Sequence, residues 1–172
     1  MDSPPPDPRF YALRSALLDG DLSLADELIR SDPASLEARD GVGETVLHWL
    51  AVEDERELVE WLRSRGAQVD PRTHFGNTPL GEAASLGYLE LCAYLVAHGA
   101  DTRAKNHLGS TPLAQAATSD QLEVVMYLLK QVAGGEDLSS YFGPYDLELH
   151  VTPDSAVAGV LREAGLSVGD TA

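Results

Sequence analysis

The stretch "GNTPLGEAASLGYLELCAYLVAHGAD", residues 76–101, contains the signals of two helices joined by a short turn. Thr78 precedes Pro79, which places an N-cap hydroxyl before a proline at the first helical position, where no amide donor is lost. Apolar residues recur at helical spacing over 91–96 and predict a second helix. Gly99 then stands where a left-handed C-cap is expected. The stretch therefore predicts one helix–turn–helix unit.

The same pattern recurs along the chain with a period of 33 residues, as the spacing of Gly43, Gly76 and Gly109 shows. Four further columns keep this period: Thr45/Thr78/Thr111, Leu47/Leu80/Leu113, Ala51/Ala84/Ala117 and Leu62/Leu95/Leu128. So many positions would not share one period by chance, so the chain contains internal repeats of 33 residues. Alanines in the first helix of each unit keep one face thin, which lets the second helix pack closely.

The pattern G-x-T-P-L-x-x-A-A, followed by a second helix that ends in G-A-D, resembles the ankyrin repeat. The resemblance is strong over residues 40–131 and weak outside them. It implies an all-α fold, a solenoid of about four helix–turn–helix repeats with a degenerate C-terminal capping unit. One copy departs from the pattern at Val46 and Leu50, and another has Val132 where the C-cap glycine is expected, so its helix is expected to end near Gly134.

The resemblance also implies a domain organisation, with terminal units that are atypical because they face water. We expect a disordered Pro-rich segment over 1–8, one domain over 9–168 and a flexible tail over 169–172. The repeats are expected at about 9–39, 40–72, 73–105 and 106–134, followed by an irregular cap at 135–168. In the cap, the alternation of Leu147, Leu149 and Val151 favours a short strand, and the stretch from Pro153 favours a final outer helix.

Composition limits the function classes. Twenty-eight acidic residues against twelve basic ones give a formal charge of -16, which disfavours nucleic-acid binding by counterion release. This charge has two interpretations, solubility or the steering of a basic partner. No apolar run approaches the ~20 residues of a membrane span, and the first ten residues lack the pattern of a signal peptide. With only Cys92 there is no intramolecular disulfide, so we expect a cytoplasmic protein. We also expect a monomer.

Catalytic and metal-binding patterns are absent from the sequence. The histidines at 48, 74, 98, 107 and 150 lack the H-E-x-x-H spacing, and no nucleophile elbow or phosphate-binding loop is present. The resemblance implies a structural role for His48. Cys92 falls on the buried stripe of a second helix, and the column Trp61/Tyr94/Tyr127 is expected to stack in the core. We therefore predict no enzyme activity, no metal and no cofactor.

A different interpretation places a hydrolytic or metal site in the irregular region 135–152. Its candidate residues are Tyr141, Tyr145, Asp146 and His150. The break in the repeat pattern is its only support.

The resemblance implies that a protein partner binds the concave face, which the projecting turns and the exposed side of the inner helices form. The candidate partner-binding residues are Arg39, Val42, Glu44, Trp49, Glu53, Arg72, His74, Phe75, Asn77, Glu82, Leu86, Lys105, His107, Leu108 and Gln115. Two columns stand out, a cationic one at Arg39/Arg72/Lys105 and an apolar one at Val42/Phe75/Leu108. The apolar side chains either bind a partner or pack on the neighbouring turn.

The sequence thus predicts a non-catalytic protein-binding module. A narrower alternative is an acidic inhibitor or immunity-type protein that neutralises a basic enzyme or toxin.

Overall fold

The fold is a stack of helix pairs. The computed structural model describes residues 5–132, 137–144 and 146–168. Their α-helices are α1 (Pro8–Leu18), α2 (Leu22–Ser31), α3 (Val46–Val52), α4 (Arg56–Ser64), α5 (Pro79–Leu86), α6 (Leu89–Ala97), α7 (Pro112–Thr118), α8 (Leu122–Gln131) and α9 (Ala156–Glu163). None of these helices is long and apolar enough to cross a membrane.

Each helix pair begins as the sequence predicts. The hydroxyl of Thr78 accepts a hydrogen bond from the Gly81 amide at 3.2 Å, and Thr111 caps α7 in the same way. Gly66 and Gly99 follow α4 and α6 with φ of +97° and +91°, which confirms the left-handed ends of these helices. These caps and glycines are local signals that fix where the helices begin and end.

The helices form two layers. The inner helices α3, α5 and α7 contact one another in sequence, and each contacts the outer helix that follows it. The predicted thin face is present, since Ala83, Ala84, Ala116 and Ala117 are all buried. Cys92 lies in the core between the layers, where burial raises the pKa of its thiol to about 12. Its predicted packing role is confirmed, and a reactive thiolate is disfavoured there.

The aromatic column lies elsewhere than predicted. Trp61, Tyr94 and Tyr127 are half-buried at the outer edge of the core. Two of their rings meet polar groups: the guanidinium of Arg65 lies 3.4 Å from the centre of the Trp61 ring, and the imidazole of His98 stacks on Tyr94 at 4.0 Å. The internal stacking prediction is wrong because the fully buried places of the outer helices belong to smaller side chains such as Val59.

The C-terminal cap is helical. The strand expected at Leu147, Leu149 and Val151 is wrong, because residues Asp146–His150 form a π-helical turn that contacts α7. The following helix α9 contacts α8, as the predicted final outer helix should. The π-helical turn thus takes the inner position of a fifth unit, which the alternating pattern could not show.

The ends of the solenoid differ slightly from expectation. Asp7 accepts a hydrogen bond from the Arg9 amide at 2.9 Å, and α1 begins at Pro8. Part of the segment expected to be disordered therefore belongs to the fold. Helix α8 ends at Gln131, whereas its expected end at Gly134 lies outside the described residues, as does the tail at 169–172.

Candidate functional site at the turns and the concave face

Three turns of identical construction project between the helix pairs. Each begins with a side-chain oxygen, on Asp40, Thr73 or Asn106, that accepts hydrogen bonds from the amides two and four residues later. In the last turn these amides belong to Leu108 and Ser110, both at 3.0 Å. Such side chains are the usual initiators of tight turns. The turns are therefore fixed locally.

A glycine closes each turn in a left-handed conformation and permits close stacking. Gly43, Gly76 and Gly109 have φ between +80° and +85°. A Cβ atom on Gly43 would lie 2.7 Å from the backbone nitrogen of His74 in the next turn. The period-33 glycines are thus required for the turn, and Gly43 also for the contact between turns.

Backbone hydrogen bonds join successive turns. The amide of His74 donates to the carbonyl of Val42 at 3.0 Å, and that of His107 donates to Phe75 at 2.9 Å. The two histidines therefore occupy equivalent places in successive turns, and both side chains are exposed.

The two arginines of the cationic column are occupied within the fold. Arg39 Nη1 donates to the carbonyls of Gly43 at 2.6 Å and Arg72 at 2.5 Å. Arg72 Nη1 repeats the arrangement one unit later, to Gly76 at 3.2 Å and Lys105 at 2.7 Å. Each guanidinium thus braces its own turn against the next one. Arg39 and Arg72 therefore hold the turns in position, and within this column only the exposed side chain of Lys105 has no hydrogen-bond partner among the described residues.

The apolar column forms an exposed surface, which we call the turn-tip row: Val42, Phe75 and Leu108. These residues are 45%, 63% and 75% exposed. Packing on the neighbouring turn therefore leaves much of their surface in water. Because successive turns are hydrogen-bonded to each other, the three side chains form one row, and contiguous exposed apolar patches mark interaction surfaces, whereas scattered exposed residues are ordinary.

Carboxylates lie beside the turn-tip row. Glu44 and Glu82 are half-buried, and Asn77 Nδ2 donates to Glu82 Oε1 at 2.8 Å. Burial raises the pKa of both side chains, and repulsion from Asp40 and Glu82 adds to the effect at Glu44. Neither forms an ion pair within the described part of the chain.

The side chain of Trp49 is also half-buried. The guanidinium of Arg14, from the first inner helix, lies 4.6 Å from the centre of its ring. Arg14 is also the cation whose charge opposes the raised pKa of Glu44. One face of Trp49 is therefore occupied from within the chain.

His48 has a structural role, as the resemblance implies. Its Nδ1 accepts a hydrogen bond from the Thr45 amide at 3.1 Å, and Nε2 lies 3.2 Å from the Asn77 carbonyl. An amide can only donate and a carbonyl can only accept, so the proton resides on Nε2. Burial lowers the pKa of His48 to about 4, which keeps the ring neutral.

The remaining candidates are spread over the inner helices. Glu53 and Leu86 are exposed, and Gln115 is half-buried with its side chain 3.4 Å from the Ser110 carbonyl. Glu53 follows α3, Leu86 is the last residue of α5 and Gln115 lies within α7.

Sequence reasoning missed three features. Arg14, which stacks on Trp49, and the exposed Leu18 belong to the first repeat, where the resemblance is weak and the columns are hidden. The turn-initiating residues Asp40, Thr73 and Asn106 also form a period-33 column. Their differing chemistry hid that column, although all three types are known turn formers.

Two residues of the alternative site at the C-terminal cap, Asp146 and Tyr141, make structural hydrogen bonds, and His150 is exposed. Asp146 Oδ2 accepts hydrogen bonds from Ser110 Oγ at 2.7 Å and from the Gly143 amide at 2.6 Å. Tyr141 is buried and its carbonyl accepts from Thr111, while Tyr145 lies outside the described residues. Nowhere in 5–132, 137–144 and 146–168 do three His, Cys, Asp or Glu side chains meet as a metal site would require.

A second surface feature is an acidic groove of about 870 Å³ at the starts of α4 and α6. Glu57 and Glu90 lie in the first turns of these helices, where the helix dipole favours negative charge. Arg56 joins Glu60 and Glu90 across the groove at 2.9 and 3.2 Å. Helix stability and repeat stacking therefore account for this charge.

Comparison with known proteins gives one result. A family model of ankyrin repeats, in three copies, matches residues 13–106 and 66–140. No curated protein matches the chain.

Proposed function

This chain belongs to the ankyrin repeat family, and we propose that it is a non-catalytic module that binds a protein partner through its turns and concave face. Ankyrin repeats generally mediate protein–protein interaction, and the family is typically non-catalytic. The finer assignment to this surface depends on the side chains that the surface presents.

The observation that carries the proposal is the turn-tip row. Its three apolar side chains are exposed, while the backbone beneath them is joined by hydrogen bonds between turns and braced by Arg39 and Arg72. A surface that is ordered before binding loses less conformational entropy when a partner arrives. Phe75 is the central anchor, because aromatic residues near the middle of an interface are the usual hot spots.

The proposed contact residues fall into three groups by position. Those at the turn tips are Val42, His74, Phe75, Lys105, His107 and Leu108. Those on the wall beside the tips are Glu44, Asn77 and Glu82. Those along the inner helices are Trp49, Glu53, Leu86 and Gln115. Arg39 and Arg72 support them from behind.

The test is affinity capture with quantitative mass spectrometry, using wild type, a Phe75→Ala/Leu108→Ala variant and a Met126→Ala control. Met126 is an exposed apolar residue on outer helix α8, so its variant removes apolar surface elsewhere. We expect the specific partner to be lost, by roughly tenfold or more for a hot spot, only from the turn-tip variant. Equal capture by all three proteins would move the site away from the turn tips.

The formal charge of -16 favours a second candidate, an acidic inhibitor or immunity-type protein that neutralises a basic enzyme or toxin. Long-range attraction would then speed association. Association rates should fall steeply between ~0.01 M and ~1 M salt, as the Debye length shortens from ~30 Å to ~3 Å. A rate that is independent of salt would contradict this candidate.

We further propose that the protein is cytoplasmic, is a monomer and binds no cofactor. The single buried Cys92 offers no disulfide of the kind that oxidising compartments favour. Like charges on two copies would oppose self-association. Sedimentation of the purified protein would test the monomer directly.

A further inference from the structure

The spacing of the turn-tip row selects the shape of a segment that can lie along it. Each repeat contributes one tip, and stacked helices lie ~8–10 Å apart. Residues seven apart on one α-helix are separated by ~10.5 Å along its axis, which is close to the upper end of this range, so they can meet successive tips. Residues on one face of a β-strand recur every ~6.8 Å, which falls short of the range by a larger margin. The row therefore favours a helical segment.

The charge beside the row selects the chemistry of that segment. Glu44 and Glu82 are half-buried carboxylates without an ion pair in the described chain. The nearby guanidiniums of Arg39 and Arg72 are bound to backbone carbonyls. Arg14 stacks on Trp49 and its charge acts on Glu44, but it forms an ion pair with neither carboxylate. A second copy of this acidic chain would add repulsion, whereas a cationic partner can pair with both carboxylates.

We propose that the partner presents a basic amphipathic α-helix to this surface, with apolar side chains at every seventh residue on Val42, Phe75 and Leu108. Its Lys or Arg side chains face Glu44 and Glu82. The inference rests on the proposed function and adds to it the shape and charge of the partner. The apolar row provides the anchoring contact, and the carboxylates select cationic segments from other amphipathic helices.

The test uses a phage-displayed library of random ~20-residue peptides, which at ~1.5 Å per residue can span the three tips as helices. We expect the enriched peptides to be basic and to repeat apolar residues every seven positions. Their binding should be lost with Phe75→Ala/Leu108→Ala. It should weaken about tenfold with Glu44→Gln/Glu82→Gln, the effect of ~1.4 kcal/mol at a charged contact.

The matched control is Glu57→Gln/Glu123→Gln, which removes the same charge from the first turns of α4 and α8. Peptide binding should be unchanged in this variant. Circular dichroism and thermal unfolding verify that every variant keeps its fold.

The possible failures separate the two proposals. Peptides that depend on Phe75 but are neutral or acidic, or follow another period, would overturn the basic helix and leave the turn-tip site in place. Equal weakening by both charge variants would also overturn the basic helix alone. If no enriched peptide depends on Phe75, the inference is overturned, and capture of the partner by the Phe75→Ala/Leu108→Ala variant decides the proposed site separately.

Discussion

At the scale of single residues, Arg72 and His48 both contact the backbone of the next repeat, although the sequence predicts a structural role only for His48. The guanidinium of Arg72, a predicted partner-binding residue, joins two backbone carbonyls, 3.2 and 2.7 Å away, on successive turns. Both ring nitrogens of His48 have backbone partners, as the resemblance implies. Neither role follows from residue type, because both depend on which carbonyl the next repeat brings within reach.

We predict that Arg72→Met speeds hydrogen exchange at the His107 amide, because the brace across that hydrogen bond is lost. The loss of charged hydrogen bonds at a partly exposed site should lower the free energy of unfolding by about 1 kcal/mol. Lys105→Met is the matched control, since it alters the same column where no side-chain hydrogen bond is described. Equal exchange rates in the two variants would contradict the brace.

His48 predicts a pH dependence of stability. Burial lowers the pKa of His48 in the folded protein to about 4 from its ordinary 6.5. The neutral His48 ring therefore makes its full contribution to the free energy of unfolding above pH 6.5. As the pH falls from 6.5 towards 4, up to ~3 kcal/mol of this free energy is lost. Urea unfolding across this range should show a smaller loss in His48→Gln than in the exposed-site control His74→Gln. If the free energy of unfolding falls with pH equally in both variants, His48 is not the origin of the pH dependence.

At the scale of elements, the repeats are more predictable than the cap. Thr78-Pro79 and the glycines are local signals, so the chain alone predicts where the helices begin and the turns fall. Asp146 shows the limit: its oxygen accepts from Ser110, 36 positions earlier. No local pattern reports that contact. The π-helical turn that begins at Asp146 packs on α7. This tertiary contact overrides the alternation of apolar residues that favoured a strand.

Two glycines test the stacking of the turns. Gly43 and Gly66 both have positive φ, so alanine at either site incurs backbone strain of ~1–2 kcal/mol. A Cβ on Gly43 would also meet His74, whereas one on Gly66 meets nothing within 4 Å. We therefore expect Gly43→Ala to lower the free energy of unfolding more than Gly66→Ala does in urea denaturation. Equal losses of unfolding free energy in the two variants would show that the turns can move apart to accommodate a Cβ at position 43 at no cost in stability.

At the scale of the whole molecule, the repeat places one exposed apolar side chain per unit along a braced edge. The period-33 columns predict which residues share that edge. They do not predict which of them remain available, since Arg39 and Arg72 are held by the backbone while Phe75 is 63% exposed. Availability depends on hydrogen bonds between repeats, and only a three-dimensional structure contains those.

The most direct test of the turn-tip site is photo-crosslinking in cells. A benzoylphenylalanine at position 75 or 108 reports contact there, and the same residue at position 126, on the opposite helix layer, is the control. We predict a covalent adduct of the same partner from positions 75 and 108 and none from 126. An adduct at 126 without one at 75 would contradict binding through the turn tips.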